Sequence, residues 1–152
     1  MGKVLGVDFG DRRTGVAVSD ETGVIAFPRE TLECPLLLQA AAAVARVAAE
    51  VAAERIVVGW PLNLDGSEGP RTARTKEFIG ELEKRTSVPV TRWDERLSTC
   101  EVERVLTAAG SKGKKKRAVV DKLAAQVILQ SYLDAQGGGG GLGSDADAGE
   151  EW

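Results

Sequence analysis

Residues 4–20 read VLGVDFGDRRTGVAVSD, and this stretch decides the fold. An apolar strand runs into an acid, Asp8. A turn bracketed by Gly10 and Gly15 follows, carrying Arg12 and Arg13, and a second apolar strand closes the unit. A connection this short permits antiparallel pairing only, because parallel neighbours need a crossover of about a dozen residues or more. Asp8 ends the most apolar strand of the chain. Burying a carboxylate is costly unless something pairs with it, so the rest of the sequence has to supply a partner.

Working outward, strands are expected at 3–8, 15–19 and about 24–32, forming a meander. An Ala-rich helix opened by Pro35 is expected over about 35–54. RIVVGW, 55–60, is a short continuous apolar run and reads as a central strand. The loop PLNLDGSEG leads to a helix over about 70–86, whose apolar stripe is Phe78, Ile79 and Leu82. VPVTRW, 88–93, is the next strand and ends in Asp94-Glu95. Ser98 to Glu101 has capping-box form and starts a helix that Gly110 ends. A lysine loop follows, and an amphipathic helix is expected over about 118–135. Strands alternating with helices in the middle of the chain give an α/β class, with a mixed five-stranded sheet flanked by helices. Residues 1–136 make one domain. The tail 137–152, GGGGGLGSDADAGEEW, is Gly-rich and acidic and is expected to be disordered.

The chain of 152 residues contains no histidine. That excludes Ser-His-Asp and Cys-His catalysis and any His-ligated zinc site. Cys34 and Cys100 lack metal or redox spacing and point to a reducing compartment. The N-terminus enters a strand directly, and the longest charge-free stretch, Cys34 to Ala45, is too short to span a bilayer. A cytoplasmic protein is expected. The net charge of −3 hides a division: the tail carries −4 and the remainder +1. Basic residues cluster at Arg12-Arg13 and in KGKKKR, which places Lys112, Lys114, Lys115, Lys116 and Arg117 together. A polyanion partner is permitted by this distribution.

In open α/β sheets, sites form beyond the carboxyl ends of the strands. Asp8 ends the first strand, and Asp94 and Glu95 end the fifth. Asp121 shares a helix face with Ala124, Ala125, Ile128 and Tyr132, the stripe expected to pack on the sheet. Converging carboxylates repel unless a cation joins them, and Mg²⁺ and Mn²⁺ prefer such oxygen ligands. A hydrolytic, metal-dependent phosphodiesterase is among the few chemistries this composition leaves open. Each acid also has an ordinary reading. Asp8 can bond the backbone of its own turn, Asp121 can cap its helix, and Asp94 or Glu95 can pair with Arg92 or Arg96. The Asp-x-Gly turn also resembles the phosphate loop of actin-like and sugar-kinase ATPases, but that fold closes a second lobe over its nucleotide, for which this length leaves no room.

Taken together, VDFGDRRTGVAVSD, VVGWPLNLDGSEG, DERLST and DKLAAQVILQSYLD resemble the YqgF family, also called RuvX, over residues 3 to about 135. Its members are described as pre-16S rRNA nucleases or as Holliday-junction-resolvase-like proteins. The resemblance implies a ribonuclease H-like fold, a divalent metal, and a role in trimming the 5′ end of 16S rRNA precursors. It also implies a site built by acids of the first strand, the DER segment and the last helix. Those acids are Asp8, Glu95 and Asp121, with Asp94 a possible further ligand; Glu95 is preferred because neighbours on a strand point to opposite faces. Two positions depart from RuvC-type resolvases: Gly59 and Ala124 stand where those enzymes carry acids.

The expectation is therefore a nuclease in which Asp8, Glu95 and Asp121 hold Mg²⁺ or Mn²⁺. Arg12, Arg13, Arg96, Lys112, Lys114, Lys115, Lys116 and Arg117 would bind the nucleic-acid backbone. Precursor rRNA is the expected partner and branched DNA the alternative, with the chain a monomer or a homodimer. A non-catalytic RNA-binding assembly factor is the competing reading.

Overall fold

Five strands in the order β3-β2-β1-β4-β5 form one mixed sheet, in a computed structural model that describes residues 2–63, 65–95 and 113–138. For 113–120 and 138 it describes the backbone alone. The strands are β1 (Lys3–Asp8), β2 (Arg13–Ser19), β3 (Ala26–Glu33), β4 (Ala53–Trp60) and β5 (Val90–Asp94), and the helices are α1 (Leu37–Glu50), α2 (Pro70–Arg85) and α3 (Gly113–Gly138). β1, β2 and β3 pair antiparallel, as the short turns require. β4 joins β1, and β5 joins β4, in parallel. The chain thus leaves β1 toward one edge and returns to its other side, which makes the carboxyl ends of β1 and β4 a topological switch point.

Strand alternation sorts the side chains into two cores. Leu5, Val7, Val16, Ile56 and Val58 face α1 and α2, whose contributions include Val44, Val47, Phe78 and Leu82. Phe9 stacks on Phe78 with ring centroids 4.5 Å apart, tying the end of β1 to α2. On the other face, Ala17 and Val57 meet Ala125, Ile128, Leu129, Tyr132 and Leu133 of α3. Small residues allow α3 to approach closely: a Cβ on Gly6 would lie 2.6 Å from the Leu129 Cβ and 3.0 Å from the Ala125 carbonyl oxygen.

Polar contacts then fix the position of α3 along the sheet. Gln130 accepts from the Ala26 N–H at 2.9 Å and donates to the Val24 carbonyl at 2.9 Å, while Gln126 donates to the Ala26 carbonyl at 3.0 Å. At the opposite edge the Trp93 indole donates to the Ser131 hydroxyl at 3.0 Å, and its ring meets Tyr132 edge-on. Replacing Gln130 by Ala removes two bonds to backbone and is expected to cost about 1–2 kcal/mol. Thermal unfolding should show this as a fall in Tm of roughly 2–6 °C.

The boundaries differ from the sequence reading at several points. β2 begins at Arg13, so both residues flanking Gly15's neighbour Thr14 lie in the strand. Val24 and Ile25 belong to a turn, because Asp20 accepts both their N–H groups and Thr22's hydroxyl; these bonds lower the Asp20 pKa to about 2. α1 stops at Glu50, where Ala52 takes a positive φ of 55° to enter β4. The expected lysine loop is helical from Gly113 on, so the backbone of Lys114, Lys115, Lys116 and Arg117 belongs to the first turns of α3. Lys and Arg are good helix formers, and charge alone does not make a loop. That start also removes the reading of Asp121 as a cap or first-turn acid. At its other end α3 reaches Gly138, beyond the expected boundary at 136. Arg96, Lys112 and the helix expected before Gly110 lie outside the described residues, as do the side chains of Lys114 to Arg117.

Candidate active site

Three residues stand in a row across adjacent strands at the switch point: Gly15 on β2, Asp8 on β1 and Gly59 on β4. Asp8 pairs with Gly15 directly, and the Val7–Val58 pair puts Gly59 level with Asp8. The flanking glycines leave room that other groups fill. Over Gly15 lies the backbone of Asp121, its carbonyl oxygen 1.8 Å from where a Cβ would stand. Over Gly59 lies the Glu95 carboxylate, with Oε2 2.7 Å from the corresponding point and the Ile128 Cδ1 equally close. Glu95 follows directly on β5 and shares the α3 face with Trp93. Alternation turns Asp94, which is buried, toward the opposite face.

The electrostatics follow from this crowding. Burial raises the Asp8 pKa well above the ordinary carboxylate value; the charges of Glu95 and Asp121 raise it further, and Arg71 opposes them. Glu95 is raised by burial and by Asp94, again against Arg71. Asp121 is raised by burial but held down by Arg13, whose Nε donates to Asp121 Oδ2 at 2.7 Å. Both side chains of that pair are about one-fifth exposed, at 23% and 20%.

The structure therefore brings Glu95 and Asp121 each within electrostatic reach of Asp8. Among the described residues, no three Asp, Glu, His or Cys side chains are gathered closely enough to enclose a metal ion. The donor chemistry nonetheless fits a hard divalent cation. Asp8 and Glu95 are desolvated, mutually repelling oxygen donors, and Mg²⁺ commonly takes only one or two carboxylates, completing its shell with water and phosphate. Asp121 carries the third carboxylate, and Arg13 holds it.

Residues 2–135 match the model of the RuvX family, whose description is Holliday junction resolvase. The chain belongs to the RuvX family. A relative from Halothermothrix orenii, named "Putative pre-16S rRNA nuclease", is 44% identical over 134 residues, covering 88% of this chain and 96% of its own. A relative of the same name from Geobacillus kaustophilus is 45% identical over 137 residues, covering 88% and 99%. Among solved structures, Thermus thermophilus RuvC in complex with a Holliday junction superposes with a TM-score of 0.56 at 16% identity, over 91% of this chain and 97% of that one. The fold is ribonuclease H-like, as the RuvX resemblance implies.

For this RuvX chain the structure also shows what the arginines contact. Arg12 is exposed, and its carbonyl accepts from the Cys34 N–H at 3.0 Å. Arg13 is bound to Asp121. Arg71, at the second position of α2, went unread in the sequence, although its charge acts on both Asp8 and Glu95. One signal was available: a helix N-terminus favours acids, and the first turn of α2 has none and carries an arginine. Within the PLNLDGSEG loop, Asn63 donates to Ser67 at 3.0 Å and Ser67 to Asp65 at 2.6 Å. A cavity of about 420 Å³ between α2 and β5, lined in part by Trp60, Ile79 and Arg92, opens on the other face of the sheet and contains none of the three acids.

Proposed function

We propose that this chain is a metal-dependent nuclease that hydrolyses phosphodiester bonds in structured nucleic acid, and that its substrate is the 5′ region of pre-16S rRNA during ribosome biogenesis in the cytoplasm. The observation that carries the chemistry is the row Gly15–Asp8–Gly59, with Asp121 and Glu95 lying over its two glycines. The substrate rests on the names of relatives that match the chain along nearly all of their own length.

Asp8 and Glu95 would hold Mg²⁺ or Mn²⁺, with Asp121 joining them and Asp94 facing away. Such an ion, when bound, supplies an activated water and stabilises the leaving oxygen. Arg13 would favour the ionised form of Asp121 against the effect of burial and orient its carboxylate. Exposed Arg12, with Arg96 and the basic run from Lys112 to Arg117, would meet the backbone phosphates, giving salt-sensitive and sequence-tolerant affinity. Among the described residues no helix is long and apolar enough to cross a membrane.

The test compares end-labelled precursor 16S RNA, single-stranded RNA and a four-way DNA junction, each with Mg²⁺, Mn²⁺ or EDTA. Metal-dependent cleavage of the precursor at its 5′ side is expected. Preference for the junction would assign a resolvase. Tight RNA binding without cleavage in any metal would make the protein an assembly factor.

Gly59→Ala probes the site without touching an acid. The new Cβ meets two flexible side-chain ends, Glu95 Oε2 and Ile128 Cδ1, so the fold should survive at a cost of about 1–2 kcal/mol. The Glu95 carboxylate has to leave its place. Cleavage should fall by about 10-fold or more, a loss that single-turnover kinetics on the folded variant would register.

A further inference from the structure

Arg71 breaks a local rule. It occupies the first turn of α2, where the helix dipole opposes a positive charge, and no acid stands in that turn to offset it. Arg71 is exposed, so burial does not explain it either. A cavity of about 100 Å³ begins one residue beyond Asp8, lined by Phe9, Gly10, Asp11, Arg71, Arg74 and Thr75. Arg74 lies one turn along and makes a long contact of 3.5 Å with Asp11; both are substantially exposed, at 44% and 79%. The wall carrying these arginines is held in place by the Phe9–Phe78 stack. Two guanidinium groups thus line a notch open to solvent beside the acid row.

We propose that Arg71 and Arg74 form a phosphate clamp that binds the nucleic-acid backbone on the α2 side of the active site, across from the Arg13–Asp121 pair. The clamp rests on the nuclease reading for its substrate but not for its chemistry, since a guanidinium fork recognises phosphate on any single strand. Without metal, Arg71 offsets part of the charge on Asp8 and Glu95. Arg71 is therefore a substrate-binding residue that also serves as a counter-ion.

The experiment measures binding of a short fluorescein-labelled single-stranded RNA to the full chain in EDTA, by anisotropy over a range of salt. Removing one phosphate contact should weaken binding by about 5–10-fold and reduce the slope of log affinity against log salt by about 0.7. Arg71→Ala is expected to do both, and Arg71→Lys to restore the slope with only part of the affinity. Lys84→Ala removes the same charge at the far end of α2, where Lys84 is 71% exposed, and should leave the slope near wild type. With cleavage followed in Mg²⁺, the loss in Arg71→Ala should fall on KM more than on kcat. An unchanged slope in Arg71→Ala accompanied by an altered Tm would overturn the clamp and leave a counter-ion only. Equal losses in Arg71→Ala and Lys84→Ala would overturn it in favour of a diffuse field. The nuclease reading stands apart: a wild type that cleaves nothing while Arg71→Ala loses slope keeps the clamp and sinks the nuclease, and cleavage with KM and slope unmoved does the reverse.

Discussion

Asp8→Asn is expected to reduce metal-dependent cleavage by about 10²–10³-fold, the loss of about 3–4 kcal/mol of transition-state stabilisation, and at the same time to raise the Tm of the metal-free protein. The two effects share one cause. Folding carries the Asp8 carboxyl out of water and beside Glu95 and Asp121, which raises its pKa well above the unfolded value. Between those two values the native state retains a proton that the unfolded chain has released, so stability falls as pH rises through that window. Below the unfolded value both states are protonated and the penalty vanishes. Above the folded value it is present in full. Asparagine keeps the shape and removes the charge, so in EDTA the variant should melt higher near neutral pH, by roughly 2–5 °C. The advantage should shrink as the pH is lowered toward the ordinary carboxylate range. Added Mg²⁺ or Mn²⁺ should reverse the order, because an ion that binds only the native wild type stabilises it by mass action. A variant that melts lower than wild type in EDTA, or that cleaves at the wild-type rate, would contradict the site.

Gly15→Ala should be the most damaging added methyl among the described glycines. Its Cβ would lie 1.8 Å from the Asp121 carbonyl oxygen, 2.3 Å from the carbonyl carbon and 2.9 Å from the Lys122 nitrogen. All three are backbone atoms, so no rotamer change relieves the clash; α3 has to move as a body. Its contacts to β3 through Gln126 and Gln130, and to β5 through Ser131, resist that movement. A cost of about 3 kcal/mol or more is expected, lowering Tm by roughly 6–12 °C. Because Asp121 rides on the displaced segment, the fraction that still folds should also cleave poorly. Gly80→Ala is the contrast. Nothing lies within 4 Å of that added Cβ, in the interior of α2, and the exchange should gain up to about 1 kcal/mol of helix propensity. Equal melting of the Gly15 and Gly80 variants would show that α3 does not press on the sheet as described.

Much of this architecture was legible in the sequence because its signals are local. The turn around Gly10 required an antiparallel partner for β1, and RIVVGW required a buried strand. Alternation along β5 separated Glu95 from Asp94, and the spacing of Asp121 from Ala125, Ile128 and Tyr132 put it on the sheet-facing stripe of its helix. Each of these depends on residues within one or two turns or a single strand. The departures are local as well: a run of lysines reads as a loop although its residues favour helix, and Val24-Ile25 reads as strand although Asp20 draws them into a turn.

The sequence by itself determined the mixed sheet, the strand ends that carry acids, and the absence of histidine that narrows the chemistry. The tertiary structure alone decided which charges meet. Arg13 and Asp121 lie 108 positions apart and form an ion pair at 2.7 Å, and Arg71 reaches Asp8 and Glu95 where the Phe9–Phe78 stack ties α2 to the end of β1. The space over Gly15 and Gly59 exists only once α3 and β5 have packed against those strands. Periodicity records which face of an element is apolar, whereas pairing between charges depends on distances that arise when the faces come together.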